Sequence, residues 1–154
     1  MAERIARTEI LARLNAARAS RKPIVGAGAS AGIIAKCAEI GGADLLIIYS
    51  TGKSRLMGLP TSRIGDSNEI TRKMLVEISN VTKNVPLIAG VEAVDPTRLD
   101  LDRLLDQFIA CDASGVINFP TVLMMPTYAE KREMVGLGFS REVEMIRVAR
   151  RKEL

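Results

Sequence analysis

The 154-residue chain contains 47% hydrophobic and 26% charged residues, a balance typical of one globular domain and too apolar for a disordered protein. Its net charge is +4, but with three phenylalanines, two tyrosines and no tryptophan we expect no aromatic stacking on nucleic-acid bases. Histidine is absent, which excludes Ser-His-Asp catalysis, Cys-His catalysis and His-ligated zinc within this sequence.

The cysteines and the two ends of the chain indicate a cytoplasmic protein. The first 22 residues are amphipathic rather than continuously apolar, so we expect no secretory signal, and no segment has the roughly 18 apolar residues of a membrane span. Cys37 and Cys111 lie in apolar helical patterns and predict buried free thiols in a reducing compartment. The basic run near the C-terminus predicts a solvated helix end, so neither nucleic acid nor membrane is an expected partner.

The first part of the chain predicts a helix, a short strand and a second helix. Apolar residues at helical spacing indicate a helix over residues 4–17, and the run that begins at Pro23 indicates a strand ending in glycines. The next helix is expected over residues 30–40, with Ser30 as N-cap and a stop at Gly41 and Gly42.

Strand and helix patterns then alternate. The uninterrupted apolar run 44–49 predicts a strand covered on both faces, as in a parallel sheet, and a loop rich in glycine, serine and basic residues follows it. Later strands are expected at 85–91 and 114–122, and later helices at 68–82, 99–111 and 141–152, with a short helix before the last. The pattern is α/β, with an N-terminal helix and four strand–helix units. It fits either an open doubly wound sheet or the first half of a (β/α)8 barrel.

The stretch PIVGAGASAGIIAK carries glycines at Gly26, Gly28 and Gly32 before a predicted helix. A dinucleotide fingerprint also needs an acid at the end of the second strand, where Tyr49 and Ser50 stand instead, and the residue order of a nucleotide P-loop is missing. Two alternatives stay open. The turn could present backbone amides to a carboxylate or phosphate, or the glycines could only allow a tight turn and close packing.

Polar residues follow the second, third and fourth predicted strands. Because parallel α/β folds place their sites at the carboxyl ends of the strands, we expect these residues to converge. They are Tyr49, Ser50, Lys53 and Arg55 after the second strand, Glu92 and Asp95 after the third, and Asn118 and Thr121 on the fourth. Asp95 precedes Pro96, so capping of the following helix is an alternative role for it.

Four motifs, IVGAGASAGIIAKCAEIGGADLLIIYSTG, VPLIAGVEAVDP, GVINFPT and GLGFSREVEMIRVA, resemble the phosphoenolpyruvate hydrolase-like family of TIM-barrel proteins. The resemblance extends from Ile10 to the C-terminus and implies one (β/α)4 domain over residues 1–154, like the first half of a TIM barrel. Positions that match the family pattern are Gly26, Gly28, Lys36, Tyr49, Gly52, Arg55, Gly90, Asp95, Asn118, Pro120, Thr121 and Glu144.

The resemblance implies a hydrolase or lyase that acts on a phosphoenolpyruvate-like acid. In that hypothesis Glu92 and Asp95 bind Mg²⁺ or act as base, with Asp95 as the metal ligand, and Asn118 orients the substrate. The expected contacts to the anion are Gly26, Gly28, Tyr49, Ser50, Lys53, Arg55 and Thr121, with Arg63 as a further cation for a phosphate.

Two other classes stay open: a non-catalytic ligand-binding or regulatory module that uses the same edge, and a barrel fragment that needs a partner half. Half a barrel leaves its first and fourth strands with open edges and exposes inward side chains to water. We therefore expect a homo-oligomer, or packing against a second barrel half.

Overall fold

The computed structural model describes residues 3–154 and contains one four-stranded parallel sheet. Its strands are β1 (Gly26–Gly28), β2 (Leu45–Ile48), β3 (Leu87–Gly90) and β4 (Gly115–Ile117), in the spatial order β1-β2-β3-β4. Each strand therefore pairs with the next along the chain, whereas the strand order of a doubly wound sheet reverses at a switch point. The α/β prediction is confirmed, and the order is that of consecutive barrel strands.

Seven helices accompany the sheet over the described residues. They are α1 (Arg7–Ala19), α2 (Gly32–Ile40), α3 (Ser50–Leu56), α4 (Ser67–Ser79), α5 (Leu101–Ile109), α6 (Pro126–Met134) and α7 (Phe139–Arg151), and a 3-10 turn (Val122–Met124) precedes α6. The sequence did not predict α3, since its residues lack an apolar period. Polar contacts hold this segment instead: Ser54 Oγ donates to the carbonyl oxygens of Thr51 and Pro60.

The start of α2 differs from the prediction. Its N-cap is Ala31, with no side-chain cap, and the Gly32 amide donates to Glu77 Oε1 at 2.6 Å. Ser30 is therefore not the N-cap. It lies against Gly52, where an added Cβ would come within 2.2 Å of Ser30 Oγ, so a larger residue at position 52 would force the Ser30 hydroxyl to move. The predicted stop is confirmed, because α2 ends at Ile40 and Gly42 has a φ of +86°.

One face of the sheet forms the hydrophobic core with the helices. Leu46, Ile48 and Leu87 are almost fully buried there, together with apolar residues at helical spacing on α4, α5 and α7. On α5 the predicted stripe is confirmed, since Leu101, Leu104, Leu105 and Phe108 are all buried. Burial of each such side chain contributes about 1.5–3 kcal/mol, so this face holds the strands in place.

The other face of the sheet, here called the inner face, carries Ile47, Ile88 and Ile117. These side chains are half-buried and lie outside the core. The prediction that residues 44–49 are covered on both faces is therefore wrong for the described chain, because Leu46 and Ile48 are buried while Leu45 and Ile47 keep solvent contact. Strands β1 and β4 are the two edges of the sheet.

Cysteine burial was predicted correctly at one position only. Both thiols are free and Cys111 is buried, but Cys37 is exposed. The reason is its place on α2: Ala35 points into the core, and a residue two positions later lies on the other side of a helix.

The surface features expected at the C-terminal end are present. Arg147, Arg150 and Arg151 are exposed at the end of α7, as predicted for a solvated helix terminus. Over residues 3–154, none of the helices combines the length and apolar character that crossing a bilayer requires.

Candidate functional site

Tyr49 and Arg55 pack together at the carboxyl edge of the sheet. Arg55 Nη2 donates to Tyr49 Oη at 2.5 Å, and its guanidinium carbon lies 5.3 Å from the centre of the tyrosine ring. Arg55 Nη1 also donates to Thr61 Oγ1 at 3.2 Å. A Cβ at Gly28 would be 3.2 Å from Tyr49 Oη, so the glycine allows this close approach. Arg55 is thus engaged with protein partners rather than pointing at an open anion site.

Three other predicted anion contacts occupy different environments. Gly26 is the first residue of β1 and pairs with Leu45, and an added Cβ there would lie 3.2 Å from Ile47 Cδ1, so it lies within the sheet instead of at the carboxyl edge. Ser50 is fully buried and its Oγ lacks a hydrogen-bond partner among the described residues, whereas Lys53 is half-buried on α3. The structure therefore does not gather the predicted anion contacts into one site.

A cavity of about 240 Å³, here called the edge cavity, lies at the same edge. Its polar lining includes Thr51, Thr61, Ser62, Arg63, Glu92, Thr121 and Arg132. Glu92 and Thr121 were predicted as site residues and Arg63 as a phosphate contact. Four polar lining residues were not predicted: Thr51, Thr61, Ser62 and Arg132. They come from α3, the following loop and α6, and the sequence does not indicate that these segments are neighbours.

Glu92 lines the edge cavity from the end of β3. Its side chain is 4% exposed, and Oε1 pairs with Arg63 Nη1 at 2.8 Å. Burial raises the pKa of Glu92 above its usual value, although the positive charge of Arg63 acts in the opposite direction. A buried carboxyl with a raised pKa is suited to take or give a proton.

Two buried oxygens that line the edge cavity lack partners within residues 3–154: Glu92 Oε2 and Thr51 Oγ1. Buried polar atoms in folded proteins are almost always hydrogen-bonded, so such a pair calls for a further donor and acceptor. The Ser67 hydroxyl, also buried and without another partner, is a donor within the protein that lowers the pKa of Glu92.

Asp95 lies close by but is saturated by the protein itself. Oδ1 accepts from the Thr97 amide at 2.8 Å and from Thr97 Oγ1 at 2.7 Å, while Oδ2 accepts from Asn68 Nδ2 at 3.2 Å and from Arg98. Four donors occupy the roughly four lone-pair sites of a carboxylate. A divalent cation on Asp95 does not fit this arrangement, and the described residues contain no group of three acidic, histidine or cysteine ligands.

Asp95 does not cap the following helix either, since the N-cap of α5 is Asp100. It closes the turn that leads to Thr97 and Arg98, and Arg98 also pairs with Asp66 at 2.7 Å. Burial alone would raise the pKa of Asp95, but the hydrogen bonds from Thr97, Arg98 and Asn68 lower it to about 2. A carboxylate with so low a pKa is a weak base, and its evident role is to hold the loop after β3.

Glu142 organises the loop after β4 and was missed by the sequence analysis. This fully buried residue of α7 accepts hydrogen bonds from Asn118 Nδ2 at 2.9 Å, Thr121 Oγ1 at 2.7 Å and the Val122 amide at 2.7 Å. Asn118 and Thr121 are thereby fixed, and Thr121 lines the edge cavity. A signal was available, because Glu142 shares the helical spacing of the buried Met145 and Ala149.

Glu144, the acid that matches the family pattern, lies on the surface of the same helix. It pairs with Arg147 at 3.2 Å and Arg151 at 3.7 Å, both exposed.

The family model described as phosphoenolpyruvate hydrolase-like matches residues 9–154. The chain belongs to this family. Among related proteins, ToMV resistance protein Tm-1(GCR237) of Solanum lycopersicum is 41% identical over 156 aligned positions, covering 96% of this chain and 20% of the relative. A putative transcriptional regulatory protein, y4pA, of Sinorhizobium fredii is 31% identical and is covered to 25%. This family member thus spans about a fifth to a quarter of the curated relatives it matches.

Solved structures show the fold of the family member as part of a TIM-barrel-like architecture. Phosphonopyruvate hydrolase, solved with oxalate and Mg²⁺, superposes with a TM-score of 0.56 at 21% identity, covering 76% of this chain and 41% of that one. 2,3-Dimethylmalate lyase, a member of the PEP mutase/isocitrate lyase superfamily, gives 0.56 at 19% identity, covering 95% of this chain and 60% of that one.

Proposed function

We propose that this chain binds a small carboxylate or phosphorylated acid in the edge cavity. The observation that carries the proposal is the lining of that cavity, in which Arg63 and the hydroxyl residues Thr51 and Ser62 stand together with one buried carboxyl, Glu92. A hydroxyl can donate to an acid group, and the glutamate oxygen can accept from a hydroxyl or a protonated carboxyl of the same molecule.

The charges around the cavity favour an anion. Arg63 and Arg132 both line it and face one acid, Glu92, whose pKa is raised by burial. Arg63 is about half exposed and uses Nη1 for Glu92, so its remaining donors can reach a ligand. Arginine presents a planar fork that suits carboxylate and phosphate groups. Binding of oxalate by phosphonopyruvate hydrolase, a protein of similar fold, agrees with this class of ligand.

Turnover of the bound acid is the second candidate, favoured by Glu92. Its buried carboxyl lines the cavity and has a raised pKa, so it could serve as a general acid or base in hydrolytic or lyase chemistry. Mg²⁺ accompanies oxalate in the phosphonopyruvate hydrolase structure. Because the lone pairs of the Asp95 carboxylate already accept hydrogen bonds from the protein, the proposed chemistry in this chain includes no metal-dependent step. A non-catalytic binding module would use the same cavity without releasing product.

Replacing Arg63 with glutamine is expected to weaken binding of oxalate and of phosphonopyruvate by about tenfold or more. The reason is the loss of a charge-assisted contact, which contributes about 1.5–3 kcal/mol. Isothermal titration calorimetry measures the dissociation constants, and release of pyruvate from phosphonopyruvate in the same samples reports any turnover.

Arg150→Gln is the matched control. It removes the same charge from an exposed position on α7 away from the cavity, so its affinity should equal that of the unaltered chain. Equal affinities in all three proteins would show that the anion binds elsewhere. A comparable loss of affinity in both variants would show that the effect comes only from the net charge of the protein. Binding without pyruvate release would favour the non-catalytic module.

We further propose that a second copy of this chain covers the inner face. Ile47, Ile88 and Ile117 remain half-buried on it, and the outer edges of strands β1 and β4 are unpaired within residues 3–154. A two-fold axis parallel to the strands would set β4 of each copy beside β1 of the other and keep all carboxyl ends on one side. A second barrel half on another chain would cover the same surface.

Light scattering coupled to size-exclusion chromatography is expected to give twice the mass of one chain. The physical reason is that open edges and apolar inward side chains favour association. A stable monomer that unfolds cooperatively would contradict the self-association and would favour a separate partner half.

A further inference from the structure

The residues that line the edge cavity differ in polarity according to the chain segment that supplies them. The residues from α3, the following loop and the end of β3 include Thr51, Ser62, Arg63 and Glu92, which are polar or charged. The residues from the 3-10 turn and α6 are mostly apolar, namely Val122, Met124, Met125 and Tyr128, and Val94 adds to them, whereas Thr121 and Arg132 are the polar residues near these segments. The cavity therefore offers one polar part and one apolar part.

The apolar part is accessible to a ligand. Met124, Met125 and Tyr128 are 56%, 61% and 50% exposed. Apolar surface of this kind gains free energy only when another apolar group covers it. The methionine side chains are flexible and can adapt to groups of different shape.

Arg132 fixes the position of this wall. Its Nη2 donates to the Val94 carbonyl oxygen at 2.5 Å and its Nε to the Leu137 carbonyl oxygen at 3.3 Å. The guanidinium carbon lies 5.8 Å from the centre of the Tyr128 ring. Arg132 is thus anchored to two backbone segments and contacts Tyr128. It therefore fixes the position of the Tyr128 ring relative to the polar residues of the cavity.

From this division we infer that the ligand is an acid with an alkyl substituent: its acid group lies beside Arg63 and Thr51, and its alkyl group packs against Val122, Met124 and Tyr128. This inference rests on the proposed function and narrows its ligand class. The cavity volume of about 240 Å³ leaves room for a substituent beside a small acid group.

A series of malonates tests the inference, because the two carboxylates stay constant while the alkyl group grows. We expect the affinity measured by calorimetry to rise from malonate through methylmalonate and ethylmalonate to propylmalonate, by about twofold to fourfold per added methylene. Met124→Gln, which keeps the length of the side chain, should reduce this increment. Met134→Gln, at the end of α6, 87% exposed and away from the lining, should leave it unchanged.

The outcomes separate the two proposals. Binding of malonate with no gain along the series would overturn the alkyl subsite and leave acid binding intact. A gain that Met124→Gln does not reduce would also overturn the assignment to this wall. If no malonate bound at all, acid binding itself would fail, and the alkyl subsite with it.

Discussion

Replacing Glu142 with alanine is expected to lower the free energy of unfolding by about 3 kcal/mol or more. The buried carboxylate accepts hydrogen bonds from Asn118, Thr121 and the Val122 amide, and its removal leaves three donors without this partner, of which the Val122 amide is buried and the two side chains are half-buried. Each buried donor that loses its partner costs about 1–3 kcal/mol. In a chain of this size the loss corresponds to a melting temperature lower by about 10 °C.

Glu144→Ala is the matched control for this experiment. It lies two residues further along α7 and makes only ion pairs with exposed arginines, so its effect should stay within about 0.5 kcal/mol. Urea unfolding followed by circular dichroism measures both variants. If Glu142→Ala were as stable as Glu144→Ala, the three hydrogen bonds would not hold the loop after β4, and the position of Thr121 in the cavity would need another cause.

The fold could be predicted from the sequence wherever one periodic signal dominates. The stripe on α5 and the alternation of strands with helices identified the parallel sheet, because core burial requires those periods. Two features of the fold could not be predicted from the sequence. Helix α3 is held by serine and threonine contacts without an apolar period, and the uncovered inner face looks the same in sequence as a covered one, since Ile47 is as apolar as Ile48.

The candidate site could be predicted only in part. The carboxyl edge and Glu92 follow from strand ends, since parallel sheets place their sites there. What surrounds Glu92 depends on segments far apart in the chain: Arg63 from the loop after α3 and Arg132 from α6. The same difficulty affects Asp95, whose sequence position suggests a ligand for a metal although Asn68 and Arg98 already saturate it. Sequence spacing does not reveal which carboxylate has a lone pair left.

Asp95→Asn is expected to lower the free energy of unfolding by about 2 kcal/mol at pH 7, and the difference from the unaltered chain should shrink in acid. Folding lowers the pKa of Asp95 from 3.8 to about 2, and each unit corresponds to about 1.4 kcal/mol. For a depressed carboxyl pKa, the stabilisation is fully present above the unfolded value and is lost as the pH falls from about 4 towards 2. The asparagine variant has no charge to lose over that range.

Urea unfolding of both proteins at pH 7 and at several values down to pH 2 measures this difference directly. Asp102→Asn is the control: its carboxylate is 61% exposed and pairs only with Lys152 Nζ at 3.3 Å, so its effect should be within about 0.5 kcal/mol at every pH. A difference for Asp95→Asn that does not change with pH would show that the shape of the side chain, rather than its charge, holds the loop. If the variant instead kept its stability but lost affinity for oxalate, Asp95 would act on the ligand, as the sequence alone had indicated. The structure favours the first result, because every lone pair of that carboxylate already has a partner within the protein.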